Sequence, residues 1–300
     1  MKHLADGSIL ISGRRFSPEQ IDAMEKLIAE NPELNRSRLA LKACERFQWY
    51  NAAGAPKHMS MKLVMLSFHR AGLIELPPPQ PLFANPPARS RLAVDVSSTR
   101  FEPIARRVDQ LGPLTIKIVR SSNRKASLRW SALMRTHHYL GYDKVGGAQL
   151  RYQVECEQGL LALLAFGSAA WKCRARDGHI GWDAPQREHA LHKIVNNTRF
   201  LILPWVNSAN LASKILGLMA ARLPRDWQHL YGYRPLLLET FVDDQQFRGH
   251  CYRAANWIHV GRTTGRGKYD RHHKAPSSIK SIWLYPLTRR ALQSLRMDPA

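Results

Sequence analysis

The sequence has 300 residues, of which 45 are Lys or Arg and 23 are Asp or Glu, so its formal net charge is +22. This length allows one large domain or two smaller ones, and a hydrophobic content of 44% is enough for a sizeable core. The sequence has no apolar run of 18 residues or more, and its N-terminus lacks the apolar centre of a signal peptide. We therefore expect a cytoplasmic protein without a membrane span.

The distribution of charge indicates a polyanionic partner. Residues 81–135 hold 11 basic against 3 acidic residues, and residues 216–300 hold 14 against 6, so the excess lies in two distant segments. A folded chain with this imbalance repels itself unless a polyanion neutralises it. We expect that partner to be DNA, because no segment has the form of a basic amphipathic helix that would bind a membrane.

The first 76 residues predict three helices followed by a strand. Ser17 and Pro18 are typical of a helix start, and Asn35 is a suitable cap for a second helix. Apolar spacing predicts a third helix from about residue 56 to 71 and a short strand at 73–76.

This order of elements is that of a winged-helix-like module over residues 17–76, whose third helix would enter the major groove of DNA. We expect four apolar residues of that helix to point inward: Met59, Leu63, Leu66 and Phe68. Its polar side would present Lys57, His58 and Lys62 to phosphates and base edges. The alternative is a helical module of the same kind that docks a protein partner.

The remaining sequence predicts a basic linker and an α/β domain, so the whole chain is expected to be of the α+β class. Residues 77–113 are rich in proline and arginine, residues 114–287 predict a mixed β-sheet flanked by helices, and residues 288–300 form a tail. Strands are expected at residues 114–119, 149–154, 160–166, 199–204, 235–240, 257–260 and 279–285. Helices are expected at residues 128–138, 184–195, 209–223 and 247–256.

A turn and a later tyrosine in this domain resemble the GNAT acyltransferase family. There a strand leads into a Gln/Arg-x-x-Gly-x-Gly/Ala turn whose backbone N–H groups hold the pyrophosphate of acyl-CoA. Asn207, Asn210 and Ala212 stand at the three positions of that pattern, so Asn210 replaces the first glycine. Tyr252 takes the place of the tyrosine that protonates the departing thiolate, and Glu239 ends a strand where such enzymes often keep a general base. The resemblance implies a GNAT-like domain and, as an alternative function, acyl transfer in an open cleft faced by Tyr252 and Glu239.

A closer resemblance, to the Druantia A protein family, covers about residues 130 to 287. It rests on several blocks together: FGSAAWK at 166–172, IGW at 180–182, VNNTRFLILP at 195–204, LAS at 211–213, LETFVD at 238–243 and CYRAANW at 251–257. The resemblance implies a component of the Druantia antiphage defence system that acts with other subunits, including a helicase, or a transposase-like relative carried by mobile elements. It implies no established reaction.

Residues 261–274 form a second candidate contact with phosphates. Glycines in this segment let backbone N–H groups approach an anion, and Tyr269 could stack on a base. The segment does not match a Walker A loop, because Lys268 is followed by Tyr. Its expected contacts are Arg262, Arg266, Lys268 and Arg271.

The other alternative is a metal-dependent nuclease or transposase, which would need clustered carboxylates to hold Mg²⁺. Candidate carboxylates are Asp177, Asp183, Glu188, Glu239, Asp243, Asp244 and Asp270. Under this alternative three carboxylates would converge, and Mg²⁺-dependent cleavage would be lost on changing Glu239 or Asp243. The cysteines lack CxxC spacing and HExxH is absent, so we expect no zinc-type site, and acyl-CoA or Mg²⁺ enters only with the alternatives.

Overall fold

The computed structural model describes residues 1–51, 54–78, 101–142, 147–265 and 278–297. The chain divides into two compact units, residues 1–90 and residues 91–300. Most of the expected linker lies outside the described residues, as do Arg266, Lys268 and Arg271.

The N-terminal unit combines a small antiparallel sheet with three helices. Its strands are β1 (Lys2–His3), β2 (Ile9–Ile11) and β3 (Arg14–Phe16), and its helices are α1 (Pro18–Ala29), α2 (Arg36–Arg46) and α3 (His58–Arg70). The predicted caps are confirmed, since the side chains of Ser17 and Asn35 accept backbone hydrogen bonds at the starts of α1 and α2. One core that includes Phe16, Met24 and Phe68 joins the helices to the sheet.

Two expectations for this unit are wrong. Residues 73–76 form no strand, and the strands of the unit precede its helices. Met59 and Leu63 do not point inward, because each is 59% exposed. The residues of α3 that are buried are Met61, Val64, Met65 and Phe68. Helix α3 carries two apolar stripes, so periodicity alone does not choose the buried one. The winged-helix plan is not confirmed, because the strand expected after α3 is missing from the described residues.

The described part of the C-terminal unit is a seven-stranded mixed sheet with helices on both faces. The strands of the unit, seven in this sheet and two outside it, are β4 (Ile104–Ala105), β5 (Thr115–Ile118), β6 (Gln149–Cys156), β7 (Gly159–Ser168), β8 (Ile194–Ile202), β9 (Val206–Asn207), β10 (Leu237–Asp243), β11 (Ile258–Arg262) and β12 (Lys280–Pro286). Its helices are α4 (Arg124–His137), α5 (Arg174–Ile180), α6 (Ala184–Ala190), α7 (Leu211–Tyr231), α8 (His250–Ala254) and α9 (Ala291–Arg296). The strand order is β11-β12-β10-β8-β7-β6-β5, while β4 and β9 form a separate parallel pair.

Alternating residues of the central strands build two cores, one on each face of the sheet. Leu238 and Val195 belong to the core that α4, α7 and α8 cover, and Leu237 and Ile194 to the core that α5, α6 and α9 cover. Within the seven-stranded sheet, neighbouring strands are antiparallel except β8 and β10, which are parallel and pair only between residues 194–196 and 237–239. Each strand predicted in this unit is present within a few residues of its expected place.

Helix boundaries were harder to predict. The helix expected at 184–195 ends at Ala190, and the β-branched Ile194 and Val195 already belong to β8. Helix α7 continues through the buried Pro224 to Tyr231, eight residues beyond the end expected at residue 223. Helices α5 and α9 were not predicted, and α5 determines the surroundings of Glu239.

Candidate functional site

Glu239 lies in a buried ion-pair network between β10 and α5. Its side chain is fully buried; Oε2 accepts a hydrogen bond from Arg176 Nη1 and Oε1 accepts one from the Ala170 backbone N–H, both at 2.8 Å. Arg176 is also fully buried, and its Nε donates to Asp177 Oδ1 at 2.9 Å. A guanidinium therefore lies between two carboxylates, where a metal-dependent enzyme would hold a cation.

The electrostatics of this network are those of a structural ion pair. Burial raises the pKa of Glu239, and the charge of Arg176 opposes that rise. Burial acts to lower the pKa of Arg176, but Glu239 and Asp177 outweigh it and raise that pKa. Glu239 accepts hydrogen bonds on both oxygens, so we take it to be ionised and compensated by the guanidinium. The pair fastens α5 to the sheet, and both oxygens of Glu239 are engaged within this buried network.

Tyr252, on α8, is directed into the core on the other face. Its hydroxyl donates to Asn197 Oδ1 at 2.9 Å, and its ring meets Trp257 edge-on with ring centroids 5.1 Å apart. The residue is 7% exposed, and burial raises the pKa of its phenol. In this environment Tyr252 keeps its proton and holds α8 against the sheet.

Strand β10 separates Glu239 from Tyr252. Neighbouring residues of a strand point to opposite faces, and Thr240 Oγ1 lies 3.5 Å from the Tyr252 hydroxyl while Glu239 contacts α5. Thr240 Oγ1 also donates to the Asn197 carbonyl at 3.0 Å, so these side chains fill the space where β8 and β10 stop pairing. The structure does not bring Glu239 and Tyr252 to one open cleft, as the acyltransferase alternative requires.

The turn before α7 holds the three residues that resemble a cofactor-binding turn. Asn207 ends β9 and is exposed, Asn210 is exposed with a left-handed φ of 64°, and Ala212 lies half-buried in the first turn of α7. The first N–H groups of a helix lack partners within it, so this turn could accept an anionic group. Ser208 Oγ is buried beside it without a hydrogen-bond partner among the described residues.

Asp243 and Asp244 follow one another at the end of β10, and each is bound to a neighbouring side chain. Asp243 Oδ2 accepts a hydrogen bond from Ser278 Oγ at 2.5 Å, and Asp244 Oδ2 pairs with Arg262 Nε at 2.9 Å. Across the described ranges, no group of three or more His, Cys, Asp or Glu residues is arranged to hold a metal ion. The converging carboxylates of the nuclease alternative are therefore not found in that part of the chain, and Asp270 lies outside it.

Helix α4 and the turn before it carry a basic surface that sequence reasoning did not single out. We call it the α4 basic face, and its exposed members are Arg120, Arg124, Lys125, Arg129 and Arg135. None of them forms an ion pair with a carboxylate in the described part of the chain. Residues 113–142 contain no Asp or Glu, which is the signal that could have located this face in the sequence.

A second group of basic side chains lines an open cavity of about 500 Å³ between α5 and β11. Arg262, expected to contact phosphates, lines it together with Arg174 and His179 of α5, and all three are exposed. Gly261 allows the close approach of β11 to α5, since a Cβ at that position would lie 3.0 Å from Ala175 Cβ. The fold thus places two further basic side chains beside Arg262. Their position could not be predicted from the sequence because α5 itself was not predicted.

The residues expected to face DNA in the N-terminal unit lie at the start of α3. Lys57 and His58 are exposed, and Lys62 Nζ donates to Ser37 Oγ on α2 at 3.0 Å. The exposed Met59 and Leu63 lie between these polar residues in the sequence. This face is therefore mixed apolar and basic rather than uniformly basic.

Fold and surface together define the C-terminal unit as a mixed α/β domain with helices on both faces of its sheet and an exposed basic surface. The chain belongs to the DruA family, because the family model described as Druantia protein DruA matches residues 69–294. This confirms the family resemblance seen in the sequence and suggests a role in Druantia defence. The match begins at the end of α3, so it says nothing about most of the N-terminal unit.

Comparison with other proteins finds solved acetyltransferase structures of low similarity. No curated protein matches the sequence. An N-acetyltransferase from Staphylococcus aureus Mu50 is 13% identical, with a TM-score of 0.37 over 59% of this chain and 100% of that one. The ribosomal-protein-S18-alanine N-acetyltransferase from Escherichia coli is 9% identical, with a TM-score of 0.35 over 59% of this chain and 95% of that one. An aminoglycoside acetyltransferase in complex with coenzyme A and kanamycin is 12% identical, with a TM-score of 0.38 over 62% and 100%.

Among the described residues, no helix is both long enough and apolar enough to span a bilayer.

Proposed function

We propose that this protein is a DNA-engaging component of a Druantia-type defence system and that its C-terminal unit contacts the DNA backbone through the α4 basic face. Family membership supports the biological setting, and the net charge of +22 supports a polyanionic partner. Other subunits of the system, including a helicase, belong to the proposal as partners in the same assembly.

The α4 basic face is the observation that carries this proposal. Arg124 and Arg135 are eleven residues apart, which is about three helical turns, so both point to the same side of α4 about 16 Å apart along its axis. Successive phosphates of one DNA strand are spaced by about 3.4 Å along the duplex axis. A helix with these cations could therefore neutralise several neighbouring phosphates at once.

The scaffold beneath α4 holds this face in place. Trp130 is 1% exposed and its indole N–H donates to the Tyr152 carbonyl of β6 at 2.9 Å. Arg151 of β6 donates to Ser127 Oγ on α4 at 2.9 Å. Because the helix is fixed on the sheet before binding, contact with DNA needs to order only the ends of the basic side chains.

The proposal is tested by the salt dependence of DNA binding. Full-length protein is titrated with a fluorescent 20-base-pair duplex and with the corresponding single strand at about 50 and 200 mM NaCl. We expect the triple variant Arg124→Gln, Lys125→Gln and Arg135→Gln to bind less tightly and to flatten the log–log salt slope by about two to three units, since each lost phosphate contact removes about 0.9. The matched control changes three exposed arginines beside or on α9, Arg289, Arg290 and Arg296, to Gln and alters the net charge equally.

The two triple variants separate local contact from general charge. Equal losses of affinity in both would show that only net charge matters and would remove the α4 basic face from the interface. A third variant, with Arg266, Lys268 and Arg271 changed to Ala, tests the sequence prediction for residues 261–274 and should flatten the slope by up to about three units. Absence of binding by the unaltered protein at low salt would overturn the proposed function itself.

A further inference from the structure

An apolar groove crosses the N-terminal unit between the start of α2 and α3. Its volume is about 370 Å³, in the lower part of the range of roughly 300–1,000 Å³ that is usual for binding pockets. The buried Met65 and Leu76 line it together with the exposed Met59 and Leu63. The groove thus has buried apolar side chains at its base and exposed apolar side chains along one side.

The exposed residues of the groove form a continuous apolar stripe. Met59 and Leu63 are four residues apart on α3, so their side chains lie one above the other on the same face. Both are 59% exposed, and the partly buried Leu66 continues the stripe. Adjacent large apolar side chains that remain this exposed are typical of an interaction surface.

The groove is bordered by positive charge. Arg36 Nε donates to the Pro77 carbonyl at 2.7 Å and Lys62 Nζ donates to Ser37 Oγ at 3.0 Å, so both cations are positioned by neutral acceptors. Helix α3 contains no Asp or Glu. The single acid of α2, Glu45, lies near the end opposite to the groove. No carboxylate of these two helices therefore lies at the groove, and the nearest acid in the segment after α3 is the exposed Glu75, which precedes Leu76.

We propose that this groove docks an acidic amphipathic helix of another protein. Apolar side chains of that helix, spaced three and four residues apart, would cover Met59 and Leu63, and its carboxylates would meet Arg36 and Lys62. A DNA backbone fits less well, because it offers no apolar group to the stripe. The proposal does not depend on DNA binding by the C-terminal unit, since it concerns different residues.

A peptide-binding assay with full-length protein tests this proposal. The probe is a labelled 18-residue helical peptide with Leu along one face and Glu at the other positions, followed by fluorescence anisotropy. We expect binding that weakens at least tenfold in the double variant Met59→Ser and Leu63→Ser and tenfold in Lys62→Glu. The matched control is Leu41→Ser, because Leu41 is exposed on α2 outside the groove and should leave binding unchanged. Both substituted groove residues are largely exposed, so the variants should keep the helix content of the parent by circular dichroism.

Four results would overturn the proposal. The first is equal binding of a peptide in which Lys replaces every Glu, and the second is unchanged peptide binding by the double variant. The third is a loss of duplex affinity in the double variant, which would identify the groove as a DNA contact. The fourth is a dimer in size-exclusion chromatography that the double variant makes monomeric, which would identify the occupant as a second copy of this chain. Failure of DNA binding with intact peptide binding would leave this proposal standing and refute only the proposed function.

Discussion

At the scale of single residues, Arg176 decides what Glu239 can do. The sequence places Glu239 correctly on a strand, but a carboxylate there is equally compatible with a general base, a metal ligand or half of an ion pair. The choice among these depends on a residue 63 positions away in a helix that the pattern did not predict. Local periodicity holds no information on such a pairing, so this part of the candidate site could not be predicted.

Replacing Arg176 by Met should destabilise the C-terminal unit by about 3–5 kcal/mol, because Glu239 would stay buried without a compensating charge. Adding Glu239→Gln to that variant should restore part of the loss, so the double variant is more stable than the sum of the single effects predicts. Urea unfolding followed by tryptophan fluorescence measures this, because all tryptophans except Trp49 lie in the C-terminal unit. The control is Lys117→Met, which breaks the exposed pair with Glu155 and should cost less than about 1 kcal/mol. Similar losses in Arg176→Met and Lys117→Met would contradict the structural role of the network.

At the scale of elements, the sequence predicted strands better than helix ends and packing faces. Alternation of apolar residues located β6 and β7 because buried strands give a strong signal over eight to ten residues. Helices α5 and α9 have seven and six residues, too few for a clear helical period. The face of α3 was assigned wrongly because Met61, Val64 and Met65 compete with Met59 and Leu63 for the core, and only tertiary packing distinguishes the two stripes.

Gly249 lies directly before α8, where the backbone approaches β12 closely. It has a φ of +69°, and an added Cβ would lie 2.7 Å from the ring of Trp283 on β12. Gly249→Ala should therefore lower the free energy of unfolding by at least about 2 kcal/mol, from backbone strain and overpacking together. Gly217→Ala is the matched control: Gly217 lies in α7 with no atom within 4 Å of an added Cβ, so the change should stabilise by about 0.5–1 kcal/mol. Opposite signs in thermal unfolding are expected, and a neutral Gly249→Ala would show that α8 can shift away from β12.

At the scale of the whole molecule, the net charge follows directly from the sequence, but the positions of the charged side chains on the surface depend on the fold. Of the 11 basic residues at 81–135, six lie at 114–135, within or beside β5 and α4 rather than in the linker. The sequence pattern thus indicated a polyanionic partner and the family. The α4 basic face could be recognised only from the structure, which shows that its basic side chains point outward. The groove in the N-terminal unit was hidden for the corresponding reason, since its exposed apolar residues had been counted as core.

The net charge of +22 also predicts how the stability of the free protein depends on salt. Repulsion among unpaired cations opposes folding at low ionic strength, and the Debye length falls from about 10 Å at 0.1 M to about 3 Å at 1 M. The melting temperature of the free protein should therefore rise between about 20 and 500 mM NaCl.

With duplex DNA present, the melting temperature should be higher at low salt and lose that advantage as binding weakens, because a ligand stabilises the folded state only in proportion to its occupancy. Sucrose at constant ionic strength is the control for stabilisation that does not involve charge. A melting temperature of the free protein that stays flat or falls with NaCl would mean that repulsion among the surplus cations does not limit stability, and the net charge would then no longer support a polyanionic partner.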